Sequence, residues 1–248
     1  MRDLREFMDS TYLKTAEQAG LTEVENKKVV TALIQEAIEE QFKLAMIRPE
    51  EVKAGRALVD QNNSKVLIGT VIDFPKGDGG LEAKLKEAKQ AVIDGVDELD
   101  YVVDYKAFQK GAVDVVREEV YACTKFGLEE GKVVKWIIEV AALTHTEIVK
   151  LTALIKNVVL SNFKETDYDK VFVKSSTGFY PTEGGKPNGA TMETLVLMLE
   201  NAGPLPVKAA GGIRDRETAI EMIALGVKRL GTSSAKVIVE GKASTENY

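Results

Sequence analysis

Apolar and polar positions along the chain follow two periods in turn. In KVFVKSSTG (170–178), Val171 and Val173 point one way and Phe172 and Lys174 the other, the period of a β-strand. In 22–41, Val24, Val29, Leu33, Ala37 and Ile38 fall near helical spacing, with Thr22 placed to cap the start. The two patterns alternate to the end of the chain. Strands are predicted at 7–11, 43–47, 66–72, 98–103, 133–140, 171–176, 206–210 and 229–232. Helices are predicted at 22–41, from Pro49 to 62, 81–94 closed by Gly95, 113–126 stopped by Gly127, 145–163, 191–202, 214–225 and 233–239. Residues 74–80 read as a glycine-rich loop, and about 240–248 as a flexible polar tail. Strict alternation argues a parallel sheet with right-handed crossovers. Eight units in this length favour a closed (β/α)8 TIM barrel, one domain over 1–248, over an open doubly wound sheet.

Composition narrows the function classes. With 248 residues and 44% hydrophobic positions the chain is an ordinary globular protein, and its formal charge of −6 announces neither a nucleic-acid partner nor a membrane surface. No apolar run approaches the ~20 residues of a membrane span. The start, MRDLREFMDS, has no apolar core, so no secretory signal is expected. Cys123 is the only cysteine and His145 the only histidine. A reducing cytoplasm is therefore expected, with no disulfide framework, no metal and no cofactor.

In barrels of this kind chemistry sits at the C-terminal ends of the strands. That rule selects Asp9, Asp73, Asp100, Asp104, Glu139, Lys174 and Lys208, with the glycine and serine loops after the last two strands. An ammonium in a valine-rich strand costs several kcal/mol unless paired or neutralised, and a neutral lysine amine attacks carbonyls. Lys208, in PVKAAGG, lies on the next strand, about 4.8 Å away. Two ammonium groups ~4 Å apart repel by about 1–4 kcal/mol, which lowers a lysine pKa by ~1–3 units. Asp100, in DELDYVVD, shares a face with Val102 and Asp104 and can shuttle protons near two lysines, or pair with Lys208. Asp97 and Glu98 read as loop or rim charges. Gly211-Gly212 and Gly231-Thr232-Ser233-Ser234 read as an anion cradle, because glycine lets backbone N–H groups approach a phosphate closely.

Together these residues resemble deoxyribose-phosphate aldolase, the class I aldolase family of the barrel fold, from about Met8 to Ser234. VKSSTG is similar to the family's stretch around its Schiff-base lysine, VKAAGGIR and DELD to two more of its motifs, GTSS to its phosphate loop and MDSTYL to its start. The resemblance implies that Lys174 forms the imine, Lys208 lowers its pKa and Asp100 relays protons. It implies that Thr177, Gly178, Gly211, Gly212, Ser233 and Ser234 hold the phosphate, that Asp9 and Thr11 line the sugar site, and that Tyr248 on the tail is a candidate proton relay. The implied reaction is reversible cleavage of 2-deoxy-D-ribose 5-phosphate to acetaldehyde and D-glyceraldehyde 3-phosphate, the iminium doing what a Lewis acid would do. The partner expected is a small phosphorylated sugar; a homodimer is compatible with the sequence. Three positions depart from the family: Ser10 replaces a common histidine, Met46 a common cysteine, and the loop 179–189 is longer than usual. Two other readings share the same residues: a Schiff-base aldolase or transaldolase-like enzyme for another phospho-sugar, and a phosphosugar-binding barrel without catalysis.

Overall fold

The computed structural model describes residues 3–241. Eight strands, β1 (Met8–Thr11), β2 (Leu44–Ile47), β3 (Leu67–Ile72), β4 (Glu98–Val102), β5 (Val133–Ile137), β6 (Val171–Lys174), β7 (Val207–Ala210) and β8 (Arg229–Thr232), pair in parallel and in chain order. β8 pairs with β1, so the sheet closes into a (β/α)8 barrel. The helices are α1 (Ala16–Ala19), α2 (Glu23–Glu40), α3 (Val52–Gln61), α4 (Leu81–Ile93), α5 (Tyr105–Gln109), α6 (Val113–Glu129), α7 (His145–Asn162), α8 (Met192–Ala202), α9 (Arg216–Leu225) and α10 (Ala235–Glu240). None among the described residues is long and apolar enough to cross a membrane.

Strand parity divides the interior into two regions. Outward residues such as Val134, Trp136, Val171, Val173 and Leu230 are buried between sheet and helices. Trp136 stacks on Tyr101 with centroids 5.1 Å apart and donates to Thr124 Oγ1 at 2.9 Å. Inward residues form a small apolar cluster, including Leu44, Met46, Val71, Val102 and Ile137, and the charged group described below. Helix starts follow the capping signals: Thr22 with Glu25 and Thr144 with Glu147 form capping boxes, each threonine oxygen accepting the N–H three residues on.

Several boundaries differ from the sequence reading. α6 does not stop at Gly127 but runs to Glu129. Gly127 is a packing residue, since a Cβ there would run into Val134. β5 ends at Ile137, three residues short of prediction, because Glu139 turns into the left-handed region at φ 59°. β6 ends at Lys174 itself, so Ser175–Gly178 is loop. Helices α1 and α5 were not predicted, being only four and five residues long. Of the expected flexible tail, Glu240 closes α10; Tyr248 lies outside the described residues.

Candidate active site

The inward face holds a closed ring of alternating charge. Asp100 accepts from Lys208 Nζ at 2.9 Å, and Lys208 Nζ also reaches Asp9 Oδ2 at 2.6 Å. Asp9 Oδ1 meets Arg229 Nε at 2.7 Å. Arg229 forks onto both oxygens of Glu98 at 3.0 and 3.1 Å. Glu98 pairs with Lys135, and Lys135 returns to Asp100 Oδ1 at 2.7 Å. All six side chains are buried. Charges taken from water need such reciprocal pairing, since each ion loses several kcal/mol of hydration. Asp9, Glu98 and Asp100 balance Lys135, Lys208 and Arg229 one for one.

Lys174 stands outside that balance. Its Nζ donates to Asp100 Oδ2 at 2.8 Å, the oxygen that also holds Lys208. A proton on Lys174 leaves the group with a surplus positive charge; a free amine leaves it neutral. Burial lowers the Lys174 pKa most, Asp100 opposes, and Lys208 and Lys135 lower it further, to about 8 from an ordinary 10.5. The free amine is then far more abundant near neutral pH than in an ordinary lysine, of which about 0.1% is free near pH 7.4. Burial disfavours the Asp100 anion, but Lys135, Lys174 and Lys208 outweigh it and hold its pKa well below the carboxylate range. Asp100 thus gathers the side chains of Lys135, Lys174 and Lys208 around one buried carboxylate.

Above the lysines, the loops after β6, β7 and β8 meet. Gly178, Gly211 and Gly212 have φ of 81°, 84° and 77°, where an L side chain is strained. Gly178 Cα lies 3.5 Å from where a Cβ on Gly211 would sit. Among the described residues, no hydrogen bond uses the N–H of Gly178, Gly211, Gly212 or Ser233. Unclaimed amides at a barrel rim can accept an anion. Lys14 flanks them: it lines a groove of about 310 Å³ with Gly178, Phe179 and Asn188, and one of about 500 Å³ with Thr11 and Ser233. The other side of the mouth is apolar, with Phe74 against Phe179 edge to face at 5.0 Å and Arg48 over Phe74 at 5.8 Å. A further groove, about 930 Å³, opens at the opposite end of the barrel among Phe7, Phe42, Lys43 and Lys228, away from these groups.

The sequence-predicted residues separate into three sets. Lys174, Lys208 and Asp100 come together as expected, and Gly178, Gly211, Gly212 and Ser233 share the rim. Asp9 lies below, in the ring and away from solvent. Thr11 donates its hydroxyl to Asp9 O at 2.7 Å, and Ser234 uses its N–H on Thr232 Oγ1 at 3.0 Å. Both donors of Thr177 go to Glu139 Oε2, the N–H at 3.2 Å and the hydroxyl by a short contact. Asp73 and Asp104, also at strand ends, serve loops: Asp73 Oδ2 pairs with buried Lys84 at 2.7 Å, and Asp104 caps α5. Glu98 is a correction, being a buried ring member and not a rim charge, because it shares the inward parity of Asp100. Lys135, Lys14 and Arg229 were missed. Lys135 stands in VVKWI as Lys174 stands in VFVK, a lysine on the inward parity of a valine-rich strand, and that signal would have found it.

Fold and site together define a barrel enzyme with a buried lysine of lowered pKa below a rim of unclaimed amides, the equipment of a class I aldolase. No family model matches the chain. Individual relatives do. It is 38% identical over 241 residues to a deoxyribose-phosphate aldolase of Thermococcus kodakarensis, covering 97% of each chain. It is 36% identical to one of Bacteroides thetaiotaomicron, covering 97% of this chain and 90% of that one. Among solved structures it is similar to an aldolase designated QR15 (TM-score 0.78, 34% identity, 97% and 96% coverage). It is also similar to the deoxyribose phosphate aldolase of Aeropyrum pernix, described as a unique tetramer (TM-score 0.76, 29% identity, 96% and 89% coverage). The chain belongs to the deoxyribose-phosphate aldolase family.

Proposed function

We propose that the chain reversibly cleaves 2-deoxy-D-ribose 5-phosphate to acetaldehyde and D-glyceraldehyde 3-phosphate through an imine on Lys174. The observation that carries this is the position of Lys174 outside the balanced ring, with its pKa near 8. The neutral amine adds to the C1 aldehyde of the open-chain sugar and loses water to give an iminium. The proton of the C3 hydroxyl passes to a base, Asp100 through a water molecule in this reading. The C2–C3 bonding pair then moves toward the iminium, leaving an enamine on Lys174 and releasing glyceraldehyde 3-phosphate. Protonation of the enamine carbon and hydrolysis release acetaldehyde and return the amine. Asp100, bound by three ammonium groups, is a weak base at rest. Its pKa rises as the cationic iminium nitrogen becomes the neutral enamine, so its basicity grows within the cleavage step itself.

Gly178, Gly211, Gly212 and Ser233 hold the phosphate through their unclaimed N–H groups, with Lys14 supplying positive charge. Borohydride trapping with deoxyribose 5-phosphate, followed by peptide mass mapping, tests the assignment. The added mass is expected on the peptide of Lys174; finding it on Lys208 or Lys135, with Lys174→Ala still active, would overturn it. Sedimentation would read whether the chain self-associates as a homodimer or as the tetramer described for the Aeropyrum protein.

A further inference from the structure

Among the described residues, Glu139 is the one carboxylate at a strand end that takes part in neither the charge ring nor the contacts of Asp73 and Asp104. It is buried at 1% exposure, and its backbone sits in the left-handed region at φ 59°. A non-glycine residue holds that conformation at a cost, and persists in it where its surroundings demand the placement. The surroundings here are the turn that follows Lys174. Glu139 Oε2 takes the N–H and the hydroxyl of Thr177, and Thr177 Oγ1 in turn accepts the N–H of Phe179 at 3.0 Å. The Ser176 hydroxyl lies beside the same carboxyl. From the opposite side, Asn188 Nδ2 donates to Gly178 O at 2.9 Å. The turn is thus gripped on both flanks. Both Thr177 donors are drawn toward the barrel wall, and the next amide, Gly178, is left unclaimed beside Gly211.

We propose that Glu139 is a positioning residue for the phosphate end of the substrate: by holding both donors of Thr177 it sets the turn that presents the Gly178 amide to the anion. Glu139 makes no hydrogen bond or ion pair with Lys174 among the described residues, so its action runs through Thr177 and not through the reacting atoms. The charged and titratable groups facing it are Lys174 from β6 and Tyr105 from α5. The inference rests on the anion-cradle reading above and adds to it a residue that decides how strongly the phosphate is preferred.

The test compares kcat/KM for deoxyribose 5-phosphate with that for unphosphorylated deoxyribose. Glu139→Gly removes the carboxyl and suits the left-handed backbone. It should lower the preference for the phosphorylated sugar about tenfold to a hundredfold, chiefly through KM, as expected when a binding group is misplaced by about an ångström. Glu139→Gln keeps an acceptor for Thr177 and should restore most of the preference. Equal losses on both sugars, with the preference unchanged, would mean a general structural role and overturn the proposal. Should Glu139→Gly not fold, Thr177→Val removes the hydroxyl partner at nearly constant volume and carries the same expectation and the same overturning result. Ser233→Glu places a negative charge among the amides. If it leaves the preference intact, the cradle reading fails and this inference with it. If it abolishes the preference while Glu139→Gly does not, this inference alone fails.

Discussion

Lys174 and Lys208 are register partners on β6 and β7, and their ammonium groups meet the same oxygen, Asp100 Oδ2, at 2.8 and 2.9 Å. The shared oxygen decides how each side chain acts on the other. Lys208 repels the Lys174 ammonium and also competes with it for its anion. Both effects favour the neutral amine.

Lys208→Leu should therefore raise the Lys174 pKa, by removing a cation and by leaving Asp100 Oδ2 to Lys174 alone. The alkaline-rising limb of the cleavage rate should move up from about 8. The rate near pH 7 should fall about tenfold for every pH unit that the limb moves. A pH–rate profile checks it. An unmoved limb at full activity would remove Lys208 from the tuning.

Asp100→Asn should act in the opposite direction on the same limb. Asp100 raises the Lys174 pKa, so its removal lowers it and moves the limb to lower pH. The maximal rate should nevertheless fall about a hundredfold or more, since the residue argued to move the C3 hydroxyl proton is gone. A lower limb with wild-type turnover would confine Asp100 to electrostatics.

Much of this arrangement was legible in the sequence, and the gaps have physical causes. The eight strands and the pairing of Lys174 with Lys208 followed from period-two alternation and from adjacency in chain order. Lys174, Val171 and Val173 face as the alternation requires. Glu98 was misplaced because a charge at the first position of a strand reads the same whether it faces solvent or a barrel floor. Only the closure that brings Arg229 of β8 across to β4 distinguishes the two. Glu139 was named as a strand-end carboxylate, but its grip on Thr177 depends on a left-handed φ that no residue pattern announces.

Lys135→Met should destabilise the fold strongly while leaving its hydrophobic volume filled. It strips one cation from both Glu98 and Asp100, which stay buried. Breaking a buried pair from one side costs about 3–5 kcal/mol, to be read as a lowered midpoint in urea at unchanged slope. The double variant Lys135→Met with Glu98→Gln should recover part of the loss. No recovery would mean that the ring members act independently.

Lys14→Met should raise KM for the phosphorylated sugar about three- to thirtyfold, equivalent to about 0.7–2 kcal/mol of lost attraction to a dianion. The effect should shrink as ionic strength rises, because Lys14 is partly exposed and its field is screened. Salt-independent KM values, the same in variant and wild type, would place the phosphate elsewhere.

The stability of the fold should depend on pH through Glu139, with a sign opposite to that of a salt-bridged carboxylate. Burial raises the Glu139 pKa to about 7 from an ordinary 4.5, although hydrogen bonds from Thr177 and the charge of Lys174 oppose it. The folded state therefore binds the proton more tightly than the unfolded state. Between pH 4.5 and 7 the folded chain carries the proton and the unfolded chain does not. The stabilisation from this group is complete below 4.5 and is lost as pH rises through about 7. At pH 8 the buried anion costs about 1–3 kcal/mol relative to a neutral group at the same place. Glu139→Gln, neutral at every pH and similar in shape, should be more stable than the wild type at pH 8 by up to that amount. The advantage should shrink toward zero by about pH 5. Denaturation midpoints of both proteins at about pH 5, 6, 7 and 8 measure the difference directly. A difference that is constant across the series, or that grows toward low pH, would show that Glu139 is ionised in the folded protein throughout. Its grip on Thr177 would then be that of a permanent anion.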